Sequence, residues 1–409
     1  MKLIPLLLTL LLSVSSAQSL QVVASHSILA DVVANVARNA AEVSSLMPIG
    51  ADPHSFMPRP SDLVGLARAD IIFINGAGFE EGLLEAISNA GEDVNIVVAS
   101  TCVDILGFAD SHDHDEHDQE HSEHSDMHDD DHHEHDEEAD EHTHDSAIAQ
   151  RCEQYEQEMD ALHDDGDDND HEDDHHEEHG EEHHEEHGEE HDDHAHSDSL
   201  GKLYALECDS HDHNEEHDNH ADDGHDGHDH GACDPHVWLK PHNVMVWTMF
   251  IRDTLIELDP ANADIYRANA VSYLETLETL AHDVITPLID SIPTENRVLV
   301  TNHDAFGYFA DAYDFEVIET IIPGGSTLAE PSAADVASVI DVVRARGVPA
   351  IFAETTVSDA ISQQIASETA ASVEVLYSGS LSDANGPANT YVDYMRYNVS
   401  TIVNALGGE

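Results

Sequence analysis

The chain has 409 residues, enough for two domains of ordinary size, and carries a formal charge of −74. That charge is uneven. Residues 110–234 hold 52 of the 87 acidic residues and 29 of the 35 histidines, leaving 35 acidic and 11 basic residues elsewhere, a charge of −24. Both values argue against binding to nucleic acid or an anionic membrane, which needs basic patches.

The N-terminus reads as a secretory signal over residues 1–17. Lys2 supplies the positive start, Leu3 to Leu12 a short apolar core, and Ser15 and Ala17 the small residues of a cleavage site before Gln18. The core is too short to span a bilayer, and no Cys follows it, so a secreted, periplasmic or otherwise extracytoplasmic protein without a lipid anchor is expected.

From Leu20 short β-branched runs alternate with helical patterns. QVVAS, VSSLM, IIFIN and NIVVAS read as strands; ILADVVANVARNA, SDLVGLARA (capped by Ser61) and EEGLLEAISNA read as helices. Strands separated by helices of this length imply right-handed crossovers and a parallel sheet. Residues 110–234 have too few apolar side chains to offset the entropy of ordering and are expected to form a disordered His/Asp/Glu-rich insertion. Two islands interrupt it: AIAQRCEQYEQEMDAL reads as a short helix and GKLYALEC as a strand or hairpin arm. Cys102, Cys152, Cys208 and Cys233 lie in or beside the insertion; export permits disulfides, and three pairings are possible.

Order resumes at DPHVWLKP, followed by the helical run NVMVWTMFIRDTLIEL. A long helix over 261–292, entered through Pro260 and kinked or frayed at Pro287, reads as a rigid connector. RVLVT, FEVIET, PAIFAE and SVEVLYS are strands of a second α/β half. Its helices include SAADVASVIDVVRARG, capped by Ser332 and closed by Gly347, and a last one in NTYVDYMRYNVSTIVNAL. The predicted organisation is an N-terminal lobe over 18–260 that carries the insertion, the connector over 261–292 and a C-terminal lobe over 293–409.

Six histidines lie outside the insertion: His26, His54, His236, His242, His282 and His303. His54 in GADPHSFMPRPSD follows a strand, at the end where open α/β sheets place ligands. His236 repeats the Asp-Pro-His tripeptide, and His303 in VTNHDAF again follows a strand. If the lobes face each other, these three converge, and three imidazoles suit zinc far better than calcium or magnesium. His26 stands at a strand end but is not expected to ligate; His242 reads as a capping or surface group and His282 as exposed. Tyr391, Tyr394 and Met395 read as core, and the Asn398 glycosylation triplet as incidental.

Together, GADPHSFMPRPSDLVGLARAD, CDPHVWLKPHN, VTNHDAFGYFADAYDFEVI, IPGGSTLAEPSA, IFAETTVS and LYSGSLSDANGPANTYVDYMRYN resemble the zinc/manganese solute-binding proteins of ABC transporters, the ZnuA/TroA-like family (cluster A-I). The resemblance covers nearly everything outside the insertion. It implies two (β/α) lobes with mainly parallel sheets, joined by a long rigid backbone helix, with metal in the cleft. His54 and His236 would be first-lobe ligands and His303 a second-lobe ligand, a His at 303 favouring zinc. At the fourth position, where the family often has Asp, this chain has Gly379, which leaves the place to water, to Glu354 or to the insertion. Some zinc members carry Glu where this chain has Pro53.

The expected function is capture of Zn2+ as transported cargo and delivery to a zinc ABC permease, a membrane subunit with a cytoplasmic ATPase, by a monomer. Manganese or another divalent ion is the alternative cargo, and a reservoir or chaperone role for the insertion a further reading. Hydrolytic zinc chemistry is not expected, since no HExxH helix, nucleophile elbow or general base accompanies the histidines.

Overall fold

The computed structural model describes residues 19–88, 94–108, 142–164, 233–322 and 327–407. In the first lobe, β1 (Leu20–Ala24), β2 (Ala41–Ser45), β3 (Ile71–Ile74) and β4 (Asn95–Val98) form a wholly parallel sheet in the order β2-β1-β3-β4. In the second, β5 (Val298–Thr301), β6 (Glu316–Thr320), β7 (Ala350–Glu354) and β8 (Ser372–Leu376) repeat that order as β6-β5-β7-β8. The chain runs from the first strand to one neighbour and then crosses back to the other. This reversal opens a crevice at the carboxyl ends of β1 and β3, and again at those of β5 and β7. His26 and Asn75 stand at the first crevice, His303 and Glu354 at the second.

One apolar core runs through both lobes. It joins Val22 and Phe73 of the first sheet to Leu299 and Phe352 of the second. Successive strand residues point to opposite faces, so Val300 and Ile351 join a separate cluster with Val339 and Ile365 of the outer helices Ala333–Arg346 and Ala360–Glu368. Helix Pro241–Leu258 is buried on nearly every side, through Val244, Met245, Trp247, Met249, Ile251 and Leu255, which explains its lack of a polar stripe.

The connector runs continuously over Ala263–Thr279, a π-helical turn at Leu280–Ile285 and a last stretch at Thr286–Asp290. The irregularity falls just before Pro287. Proline has no N–H to donate and crowds the carbonyl four residues back, and the wider π turn relieves that conflict. The final helix, Tyr391–Ala405, returns to the first lobe, where the Tyr391 amide donates to Asp31 (2.9 Å) and its hydroxyl to the Trp238 carbonyl (2.9 Å).

One local expectation is corrected, and another is exceeded. Helix Pro60–Leu66 is not capped by Ser61, which sits inside its first turn. Pro60 opens the helix with a fixed φ, and the Asp62 carboxylate accepts from the Arg59 amide at 2.8 Å. The island AIAQRCEQYEQEMDAL is helical as expected, within a longer helix, His142–Asp164, that lies along the first lobe in a segment otherwise expected to be disordered. Tyr155 and Met159 enter the core, Arg252 bonds Glu158 at 2.7 and 3.2 Å, and Cys102 is disulfide-bonded to Cys152. Apolar anchors and a covalent tie compensate here for a sequence that is poor in apolar residues overall. Cys233 is disulfide-bonded as well, and a separate antiparallel backbone β-bridge between Cys233 and Gly107 brings the two ends of the insertion together. The expected leader, the rest of the histidine-rich tract and the GKLYALEC island lie outside the described residues. Ser332 does cap its helix, accepting from the Asp335 amide at 3.2 Å, and Gly347 closes it in the left-handed conformation at φ 66°.

Candidate metal centre

His54, His236 and His303 come from separate parts of the chain and meet in the cleft. One ring nitrogen of each lies within 4.8 Å of the other two. The ring centroids stand 5.5 Å apart for His54 and His236, 5.5 Å for His54 and His303, and 5.1 Å for His236 and His303. His236 and His303 are buried, while His54 is half-buried.

The two buried rings are held by carboxylates. Asp234 Oδ1 accepts from His236 Nδ1 at 2.7 Å and from the His236 amide at 2.9 Å. Glu354 Oε1 accepts from His303 Nδ1 at 2.8 Å and from the His303 amide at 3.1 Å. Each of these oxygens already accepts from the amide of the same histidine, so each Nδ1 carries the proton and each Nε2 is left as a lone-pair donor. Those Nε2 atoms lie 3.3 Å apart. Two nitrogens each about 2.05 Å from a tetrahedral zinc ion stand roughly 3.3 Å apart. Two facing lone pairs at this distance need a cation or a shared proton between them.

Charge follows the same geometry. Burial and the neighbouring His303 hold the pKa of His236 well below the ordinary imidazole value. Burial also opposes charge on His303, but the Glu354 carboxylate outweighs it and raises that pKa. His303 is therefore the more basic of the two rings. Asp234 is raised to about 7, chiefly by burial. Gly307 gives Asp234 its space: a Cβ there would lie 2.7 Å from Asp234 Oδ2.

The two Asp-Pro-His tripeptides do different work. Asp52 Oδ1 accepts from the His54 amide at 3.2 Å, while its Oδ2 accepts from Ser55 (2.9 Å) and, across the cleft, from Thr327 (2.7 Å). Asp52 thus fixes a loop between lobes, whereas Asp234 fixes a ring. Sequence reasoning missed both roles of Asp and placed Asp234 at the edge of the insertion. The repeated Asp two residues before each His was the available signal.

Glu354 belongs to the centre as the partner of His303 Nδ1, not as one of the converging ligand atoms. Gly379 faces Pro53, and that position itself offers no side chain to the site. His26 lies behind the ligands. Its ring packs on Phe79 and Trp238, each at 4.9 Å, and its Nδ1 pairs with Ser25 Oγ at 3.1 Å. Burial, with a lesser effect of His236, lowers its pKa to about 3. His242 is exposed at a helix start, and exposed His282 pairs with Glu278 at 3.2 Å. Tyr391, Tyr394 and Met395 are core; Asn398 is buried and bonds both backbone groups of Tyr377, which leaves its amide no access to a glycosylating enzyme.

The family model of periplasmic zinc-uptake complex component A matches residues 22–405. A manganese-binding lipoprotein, MntA of Halalkalibacterium halodurans, is 25% identical over 95% of this chain and 89% of its own length. The zinc-binding protein AdcA of Streptococcus pyogenes is 33% identical over 43% of this chain and 34% of its own. The periplasmic zinc-binding protein TroA of Treponema pallidum superposes with a TM-score of 0.61 at 21% identity, covering 95% of this chain and 99% of that one. That likeness carries the two-lobed fold. The lipoprotein name of the manganese relative contrasts with the unanchored form expected from the leader over residues 1–17, which lies outside the described part.

Proposed function

The chain belongs to the zinc-uptake complex component A family of metal-transport binding proteins, and from that premise we propose that it captures Zn2+ outside the cytoplasmic membrane and hands it to an ABC permease. The observation that carries this reading is the convergence of three imidazoles from both lobes, with the two buried Nδ1 atoms held by Asp234 and Glu354. In it, His54, His236 and His303 are the metal ligands, and the ion replaces the proton between His236 and His303. A bound divalent ion bridges the lobes at the point where their crevices meet.

Zinc is favoured over manganese because three neutral nitrogens suit a borderline ion, whereas manganese prefers carboxylate and water. Manganese is the second reading, supported by the name of a relative that aligns along most of the chain. Competition between Zn2+ and Mn2+ for the purified protein separates them, together with absorption at the zinc edge. The expected zinc shell has three nitrogens at about 2.0–2.1 Å. An oxygen-dominated shell, or tighter binding of manganese, overturns the zinc assignment. Because neutral imidazoles are required, affinity falls with pH, and the raised pKa of His303 starts that decline above the ordinary histidine range. Equal zinc affinity at pH 7.5 and pH 5 would remove these histidines from the ligand set.

The zinc permease and the monomeric state belong to the same proposal. Release then requires the permease to bind the metal-free and metal-loaded forms unequally.

A further inference from the structure

The loop that follows β8 touches the first lobe at one bare backbone position. A Cβ placed on Gly379 would lie 2.6 Å from Pro53 Cγ and 2.9 Å from Pro53 Cδ, closer than such atoms approach. Neither side is free to withdraw. Before Gly379, the Ser378 carbonyl accepts from Trp238 Nε1 (3.1 Å) and from the Tyr394 hydroxyl (2.8 Å). After it, Ser380 Oγ accepts from the Gly50 amide at 2.8 Å, and the Leu381 amide donates to Ser27 Oγ at 3.0 Å. Opposite, Pro53 is buried, and its ring fixes its own φ, so displacement of the ring passes directly into His54. Asp52, on the other side of Pro53, is tied to Thr327 of the second lobe at 2.7 Å.

We propose that Gly379 is a positioning residue: the absence of a side chain lets the second lobe seat against Pro53, and that contact holds His54 within reach of His236 and His303. Gly379 and Pro53 are then a single steric feature of the cleft. A side chain at 379 could approach the ion only after pushing away the residue that carries a ligand. The proposal rests on the three-histidine ligand set.

The test measures affinity for Zn2+, by competition with a strong chelator, in the full-length protein and in Gly379→Ala, Pro53→Ala and the double variant. Pro53→Ala removes the two atoms that a Cβ at 379 would strike. Gly379→Ala is expected to weaken the tight site by about tenfold or more, as overpacking at a pinned contact does. Pro53→Ala gives up the same contact and should weaken the site less than Gly379→Ala does, and the double variant should bind no more weakly than Pro53→Ala alone, giving a strongly non-additive cycle. Thermal unfolding without metal checks that each variant folds; if Gly379→Ala does not, the double variant decides. Parent-like affinity in Gly379→Ala overturns the proposal, and so does a loss that the double variant fails to recover. A parent with no tight zinc site overturns the ligand set itself, and this proposal with it.

Discussion

His26 and His303 hold matching places in two lobes of the same strand order, each two residues beyond the first strand of its sheet. Their surroundings differ in the partner of Nδ1 and in what packs against the ring. His303 Nδ1 meets the buried carboxylate of Glu354, which raises its pKa and turns Nε2 toward His236. His26 Nδ1 meets only the hydroxyl of Ser25, and its ring lies against Phe79 and Trp238, which lowers its pKa to about 3. An imidazole at a strand end is therefore not a ligand by position alone. The group that faces its other nitrogen, and the polarity around it, decide whether it offers a lone pair to an ion or fills a core.

The sharpest way to break this comparison is to remove each ring. His303→Ala should cost about a third of a zinc-binding free energy on the order of 10 kcal/mol, hence more than about a hundredfold in affinity. His26→Ala should leave the tight zinc equivalent in place while lowering stability; chelator competition and urea unfolding read the two effects. Comparable affinity losses in both variants would erase the distinction. Next in size, Glu354→Gln keeps the shape but weakens the hold on His303 Nδ1, and should reduce zinc affinity by about 10–100-fold, as should Asp234→Asn for His236.

A smaller effect separates the two histidines by pH. In the unfolded chain His26 binds a proton near pH 6.5, but in the folded chain only near pH 3. Its contribution to stability is complete above pH 6.5 and is lost as pH falls through that window, at about 1.4 kcal/mol per pH unit. By pH 5 the loss is about 2 kcal/mol in metal-free protein. His26→Gln should remove this part of the slope, measured as the difference between parent and variant in urea midpoints at pH 7 and pH 5. The smallest contrast lies in two helix starts, one in each lobe. Ser332→Ala should cost about 1 kcal/mol as a lost cap, whereas Ser61→Ala, which removes no cap, should stay within about 0.5 kcal/mol by thermal unfolding.

The sequence by itself determined the two parallel α/β lobes, the long connector and the three histidines that converge. Each of these rests on a local signal: strand-to-helix alternation, a long helical run, or a His set in a short motif such as the repeated Asp-Pro-His or Thr-Asn-His-Asp. It also identified Ser332 and Gly347 as the two ends of a helix, because cap chemistry is local. Tertiary structure alone decided how the rings are held. Asp234 and Glu354 differ in distance along the chain from the histidines they orient, two residues in one case and 51 in the other. The longer pairing depends on β5 and β7 lying side by side. The seating of Gly379 on Pro53 depends on two lobes closing against each other, and the docking of helix His142–Asp164 on a few side chains and one disulfide that find partners far away. Local propensities fix which elements form; contacts between distant segments fix which of their polar atoms are left to face an ion.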